Sequence, residues 1–388
     1  MLRRSLLSPA AALLLALAGC TAGSAADPAV ATGPVTSVEQ LSPTCPAVDE
    51  PQVVTVDQVN QVVADADLPG WQAADIGASA RLSDGRLVWV FGDTVRAAGT
   101  DPRIVANSVL VSSGTCVSQL VAADGGPVIP DVAEDTVRWP MSVAVLPPTP
   151  AQAAGGTTDV VVVLCADTRR GAGGALDFSF LGTSAAVFGV GADGVPHLFR
   201  TVQVTADVDD ATQVNWGAAA AVSADWWYVY GTRLPAADAF GRELYVARVP
   251  VASPGDRSTW QFWDGGSWQS DIERSAAVLG SAGGVSQTLS VDQVDGAWVA
   301  VSKQDGDLGS TVATWWSAGP TGPWTRQAAL TLPAGDPTAL TYAPLAHPEI
   351  PLASGGLLVS ISRNTTDGAH LLADPAVGRP VFVEVTRP

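Results

Sequence analysis

Basic residues are scarce in this chain, and lysine occurs once, at Lys303. Twenty basic residues stand against 38 acidic ones, a formal charge of −18. So acidic a chain lacks the cations whose phosphate contacts release counterions, which argues against nucleic acid or anionic lipid as partners. Histidine is confined to His197, His347 and His370, too few for a histidine-rich metal centre. No cofactor or metal is therefore expected, with a structural ion in the interior left open. Cysteine occurs four times, at Cys20, Cys45, Cys116 and Cys165, and the spacings do not resemble a zinc site. After residue 20 no apolar run is long enough to span a bilayer, and amphipathic helical patterning is nearly missing. The stretch Val56 to Ala66 is the best short helix candidate.

What is present begins with an address. Arg3 and Arg4 precede an apolar core from Ala10 to Leu17, and Leu17-Ala18-Gly19-Cys20 closes the segment. This is a secretory signal, too short and wrongly flanked for a transmembrane helix. Its ending resembles the lipobox of bacterial lipoproteins, which implies removal of residues 1–19 and lipidation of Cys20. The expected location is the outer face of the cytoplasmic membrane, held by the lipid alone and facing the cell wall. Without Arg3 and Arg4, 18 basic residues face 38 acidic ones, a charge of −20. An exported location permits one disulfide among Cys45, Cys116 and Cys165 and leaves one thiol over. Cys45–Cys116 would pin the N-terminal arm to the body, but the spacing does not decide the pairing. Residues 20–48, rich in Ala, Thr, Ser, Gly and Pro, read as a flexible tether. The scarcity of lysine beside abundant Ala, Val and Gly suggests a high-GC, actinobacterial genome.

From residue 49 to 388 the chain reads as one all-β domain. Asp-Gly pairs at 84, 124, 193, 264, 295, 305 and 367 punctuate short Val-, Trp-, Tyr- or Leu-rich runs, a hairpin signal. An apolar run ending in a small residue and a polar cluster occurs five times. The copies are Val88–Thr94, Val162–Thr168, Tyr228–Arg233, Val299–Gln304 and Leu358–Asn364. Steps of about 60 to 75 residues suit one four-stranded sheet each, which predicts a five-bladed β-propeller. A β-sandwich would show shorter, less regular spacing.

The first copy carries the most chemistry. Leu87-Val88-Trp89-Val90-Phe91-Gly92 ends in Asp93-Thr94, and the turn Ser83-Asp84-Gly85-Arg86 folds it back toward Asp75. Two carboxylates at one end of a hairpin could serve glycoside hydrolysis, one delivering a proton and the other activating water. A turn centred between Asp84 and Gly85 leaves Asp93 one residue out of register with Asp75, so facing carboxyls require a different loop length or a bulge. Asp167 repeats the pattern of Asp93 without an evident partner. Near other strand ends, Asn107, Asn215, Gln287 and Arg363 could reach sugar hydroxyls. Trp139 and Trp216 could stack on sugar rings. His347 could line the channel, and Glu349 could supply a third carboxylate.

Asp75-Ile76-Gly77 with Phe91-Gly92-Asp93-Thr94 resembles the opening blade of secreted actinobacterial five-bladed propellers. That family was formerly a domain of unknown function and is now associated with endo-D-arabinanase activity. Asn215-Trp216-Gly217, Tyr228-Val229-Tyr230-Gly231, Trp316-Ser317, Gly322-Pro323-Trp324, Tyr342-Ala343-Pro344, His347-Pro348-Glu349 and Ser360–Asn364 extend the likeness over about 65–388. It implies an inverting hydrolase of D-arabinofuranosyl linkages in cell-wall arabinan, with Asp75 as general base and Asp93 as general acid. Nothing in the chain demands oligomerisation, so a monomer is expected. The alternative is a non-catalytic, glycan-binding propeller lipoprotein at the cell surface.

Overall fold

The computed structural model describes residues 40–172, 177–236, 239–333 and 337–387. The expected signal peptide, lipidated Cys20 and most of the tether lie outside the described residues. Among those described, no helix is long and apolar enough to cross a membrane.

Antiparallel strands form five sheets, each built from one stretch of chain except for a single outer strand of the first. Blade 1 runs outward from Ala73–Arg81 through Leu87–Val95 and Ser108–Ser113 to Cys116–Val121, with Gln40–Ser42 added on the outside. Blade 2 comprises Thr136–Leu146, Asp159–Arg170, Phe178–Val190 and Pro196–Gln203. Blade 3 begins with Asn215–Ser223, Trp226–Arg233 and Glu243–Pro250, and blade 4 runs from Ser290–Val294 to Thr325–Thr331. Blade 5 holds Ala339–Ala346, Leu357–Thr365 and Val381–Val385. The innermost strands touch in order, and Ala73–Arg81 meets Ala339–Ala346, which closes the ring. The fold is a five-bladed β-propeller.

Period-two alternation builds its core. Along Asp159–Arg170, Val161, Val163 and Cys165 pack toward blade 1, while Val160, Val162 and Leu164 pack toward blade 3. A strand apolar on both faces is what a sheet sandwiched between two others requires. All five sequence repeats fall on the second strand of a blade. The Asp-Gly pairs are mostly the turns expected. At Asp295-Gly296 both residues have positive φ, 51° and 84°, which suits a tight hairpin. Asp367-Gly368 differs, because Asp367 caps the helix Gly368–Ala373.

The helix expected from residue 56 spans Val56–Asp65 and starts on a capping box between Thr55 and Gln58. Asn60 bonds both backbone groups of Phe382, at 2.8 Å each, and so seats the helix beside the three-stranded blade 5. One boundary moves. Residues 40–48, read as the end of the tether, belong to blade 1. Gln40–Ser42 pairs with Cys116–Val121, Cys45 is disulfide-bonded to Cys116, and the Val48 amide donates to Asp84. Unpaired strand edges invite a partner, and this arm supplies one covalently. Among the described residues Cys165 is the free cysteine, and it is buried.

Candidate active site

In such blades the innermost strand begins, and the second ends, at the same mouth of the channel. Asp75 is the third residue of Ala73–Arg81, and Asp93 is the seventh of Leu87–Val95. The hairpin pairs Arg81 with Leu87, and two register shifts interrupt it between Ala74 and Ala78. The turn spans residues 82–86 and the two shifts cancel, so Arg81–Leu87 and Ala74–Thr94 keep one register. The different loop length brings Asp93 opposite Asp75, and at the first shift Asp75 alone faces Gly92 and Asp93. Ile76 and Gly77 take positive φ there, 67° and 74°, and the Ile76 amide donates to Ser362 Oγ of blade 5 at 2.9 Å. A bulge re-aims a side chain in this way. Gly92 completes the geometry: a Cβ on it would lie 2.3 Å from Asp75 Oδ1.

Neighbouring blades supply the rest. Tyr342 of blade 5 donates its hydroxyl to Asp75 Oδ2 at 2.6 Å, and Asn364 donates to that hydroxyl at 3.3 Å. From blade 2, Trp139 Nε1 donates to Asp93 Oδ1 at 2.9 Å, and Arg170 pairs with the same oxygen. The Arg170 guanidinium lies over the Trp139 ring, 5.8 Å from its centroid. Protein surrounds both carboxyls, yet both keep contact with solvent; 35% of the Asp93 side chain is exposed.

Burial, with the Asp93 charge as second cause, pushes the Asp75 carboxyl up to about 7, against the lowering effect of Tyr342 and Arg170. Burial also raises Asp93, but the Arg170 charge and the Trp139 hydrogen bond oppose it. The Asp93 charge raises Asp75, so the two carboxyls do not ionise independently and titrate as a pair.

The other sequence candidates scatter. Asn107 is fully buried and spends its amide on the backbone of Ile129 and Arg138. Trp216 is 2% exposed and packs edge-on against Tyr245 and Phe262, so it offers no face to a sugar. Arg363 is bonded to the carbonyls of Arg379 and Ala376, and Gln287 accepts from Arg242. His347 is completely buried between the hydroxyls of Ser79 and Ser360, against Trp89 and Phe382. Glu349 bonds Ser79, four residues along the strand from Asp75 and on the order of 10 Å away. It is therefore no third member of the pair. Asn215, at the head of blade 3, has a buried amide with no hydrogen-bond partner among the described residues. Trp139 does meet the pair, as a donor rather than a platform. Tyr342 and Arg170 were missed, because each reaches its aspartate from another blade.

An apolar cleft of about 690 Å³ lies away from the pair, between the helix Val56–Asp65, blade 1 and Phe382. Neither aspartate lines it. Among the described residues no three side chains of metal-ligating type cluster.

Fold and site together define a five-bladed propeller with a coupled carboxyl pair at one mouth of its channel. The chain belongs to the family described as "Domain of unknown function (DUF5005)", whose model matches residues 62–387. A search of curated proteins finds no match. Among solved structures, a Bacteroides ovatus ATCC 8483 protein proposed to be a hydrolase is similar with a TM-score of 0.62 and 16% identity, over 84% of this chain and 88% of that one. A glycoside hydrolase family 43 arabinoxylan arabinofuranohydrolase from Bacillus subtilis follows at 0.49 and 12% identity, over 86% of this chain and 67% of its own. The catalytic domain of a GH62 α-L-arabinofuranosidase from Coprinopsis cinerea gives 0.47 and 10%, over 83% and 93%. At such identities the likeness concerns the fold alone.

Proposed function

We propose that this protein is a glycoside hydrolase that inverts the anomeric centre, acting within D-arabinofuranosyl chains of a cell-wall arabinan. The observation that carries the reading is the pair itself. Two solvent-reachable carboxyls are coupled at a channel mouth, and burial raises one of them to about 7. A protonated and an ionised carboxyl flanking the glycosidic bond, about 6.5–9.5 Å apart with a water between, are the two reagents that one-step hydrolysis with inversion needs. The ionised one takes a proton from water as its oxygen bonds to the anomeric carbon. The protonated one gives its proton to the glycosidic oxygen as that bond breaks. Water is consumed and two sugar ends result. The substrate class comes from the sequence resemblance, which makes Asp75 the base and Asp93 the acid. The signal-like segment and lipobox-like ending at Cys20 support a protein held outside the cell by a lipid on that cysteine, and it is proposed to be monomeric.

Incubating the full chain with D-arabinan, and following oligosaccharide release and anomeric configuration by proton NMR, tests the activity. Release with inversion is expected. Binding of arabinan without release would favour the glycan-binding alternative. Incorporation of labelled fatty acid, lost in Cys20→Ala, tests the anchor.

A further inference from the structure

We propose that Arg170 is a positioning residue that decides which carboxyl of the pair carries the proton, leaving it on Asp75 and keeping Asp93 as the anion. The inference rests on the hydrolase reading and reverses the two roles the resemblance implies: Asp75 becomes the proton donor and Asp93 the base that activates water.

The geometry is asymmetric. Asp93 Oδ1 takes both the Arg170 guanidinium and the Trp139 indole N–H. A guanidinium and an indole N–H can only donate, so both favour the ionised carboxylate. Trp139 also holds Arg170 in place, because the guanidinium lies over its ring and the indole nitrogen points at the same oxygen. Asp75 has a weaker set, a neutral Tyr342 hydroxyl on Oδ2 and Gly92 packed beside Oδ1. Among the described residues nothing positively charged bonds it. Of the other charges near Asp93, Asp131 opposes ionisation, and Asp131 is itself faced by Arg170 and Arg138. Arg170 is thus the one cation bonded directly to either member of the pair among the described residues. With one proton between two carboxyls, the cation's partner is the group that gives it up.

Carbon-13 NMR of the aspartate carboxyls in the full chain reads this directly, with signals assigned by their loss in Asp75→Asn and Asp93→Asn. In the wild type Asp93 should titrate below Asp75. Arg170→Gln should raise the Asp93 midpoint by about 1 pH unit or more, since an adjacent opposite charge shifts a carboxyl by roughly that much. Arg170→Lys, which returns the charge, should bring Asp93 back below Asp75. An Asp93 midpoint above that of Asp75 in the wild type overturns the proposal. So does an Asp93 midpoint unmoved by Arg170→Gln in a protein whose near-ultraviolet circular dichroism is native. The division of labour has its own readout in azide, which substitutes for water activated by a base. Azide should restore glycosyl transfer to Asp93→Asn and not to Asp75→Asn; the opposite pattern refutes the reversal. If no arabinan is cleaved at all, the hydrolase reading fails while the carboxyl titrations still decide what Arg170 does.

Discussion

Blades 1 and 2 carry the same strand end and put it to different uses. Gly92-Asp93-Thr94 and Ala166-Asp167-Thr168 sit at matching places on second strands, and each threonine hydroxyl bonds the carbonyl two residues before it. Across from Asp93 stands the carboxyl of Asp75; across from Asp167, in register, stands Arg138. Asp167 is fully buried, close to the Arg138 guanidinium at 3.5 Å, and accepts from Ser184 at 2.5 Å and Gln203 at 2.9 Å. Asp93 stays open to solvent. Arg138, Ser184 and Gln203 tie Asp167 into the framework, whereas Asp93, paired with Arg170, also faces a second carboxyl. A carboxyl's role is set by what faces it rather than by its own segment.

The comparison breaks most sharply at the aspartates themselves. Asp75→Asn and Asp93→Asn should each lower hydrolysis of arabinan by about 10²–10⁴-fold, the usual worth of a general acid or base, with folding intact. Asp167→Ala should do the reverse. It strands Arg138, Ser184 and Gln203 and should cost about 2–4 kcal/mol in denaturant unfolding, while the folded fraction keeps its activity. Equal losses of activity per folded molecule at Asp93 and Asp167 would erase the distinction.

A subtler exchange tests the small residue before each aspartate. Gly92→Ala drives a methyl group into Asp75 Oδ1 and should lower the rate by about 10²-fold through displacement of that carboxyl. The mirror change, Ala166→Gly, should leave the rate within about twofold and lower stability by roughly 1 kcal/mol.

The pH dependence follows from Asp75. Its folded value, about 7, lies above the ordinary 3.8, so the folded state holds this proton more tightly than the unfolded chain. Stability from that source is fully present below about pH 4 and is lost as pH rises through about 7. Hydrolysis should fall over the same alkaline limb, as the pair loses its last proton. Asp75→Asn should therefore raise the melting temperature at pH 8 while removing activity. The smallest effect belongs to Tyr342→Phe. Its hydroxyl lowers Asp75, so its removal should move the alkaline limb of the rate profile upward, with only a modest change in maximal rate.

Much of this was legible in the chain. The five strand ends gave the blade count because each blade needs one buried second strand, and their apolar runs are long enough to recognise. The short helix was expected from Val56, and of the two ways to bring Asp93 opposite Asp75 the structure uses the different loop length. The individual candidates fared differently. Asn107, Trp216 and His347 are polar or aromatic residues near strand ends, as a sugar site would need. Their burial depends on which blade packs over them, and no local pattern carries that information. Arg170 belongs to no motif in the chain, and Tyr342 entered only within the Tyr342-Ala343-Pro344 stretch of the resemblance.

The sequence by itself determined the class of fold, the hairpin that brings two aspartates to one end, and the glycine that leaves room for them. These are short-range matters of periodicity, turn chemistry and steric volume. Only the tertiary structure decided which aspartates work as a pair. Trp139, Arg170 and Tyr342 lie 46, 77 and 267 residues from the carboxyls they touch. Closing the ring brings them within hydrogen-bonding reach, and the desolvation that ring imposes turns two ordinary carboxyls into a proton-sharing pair.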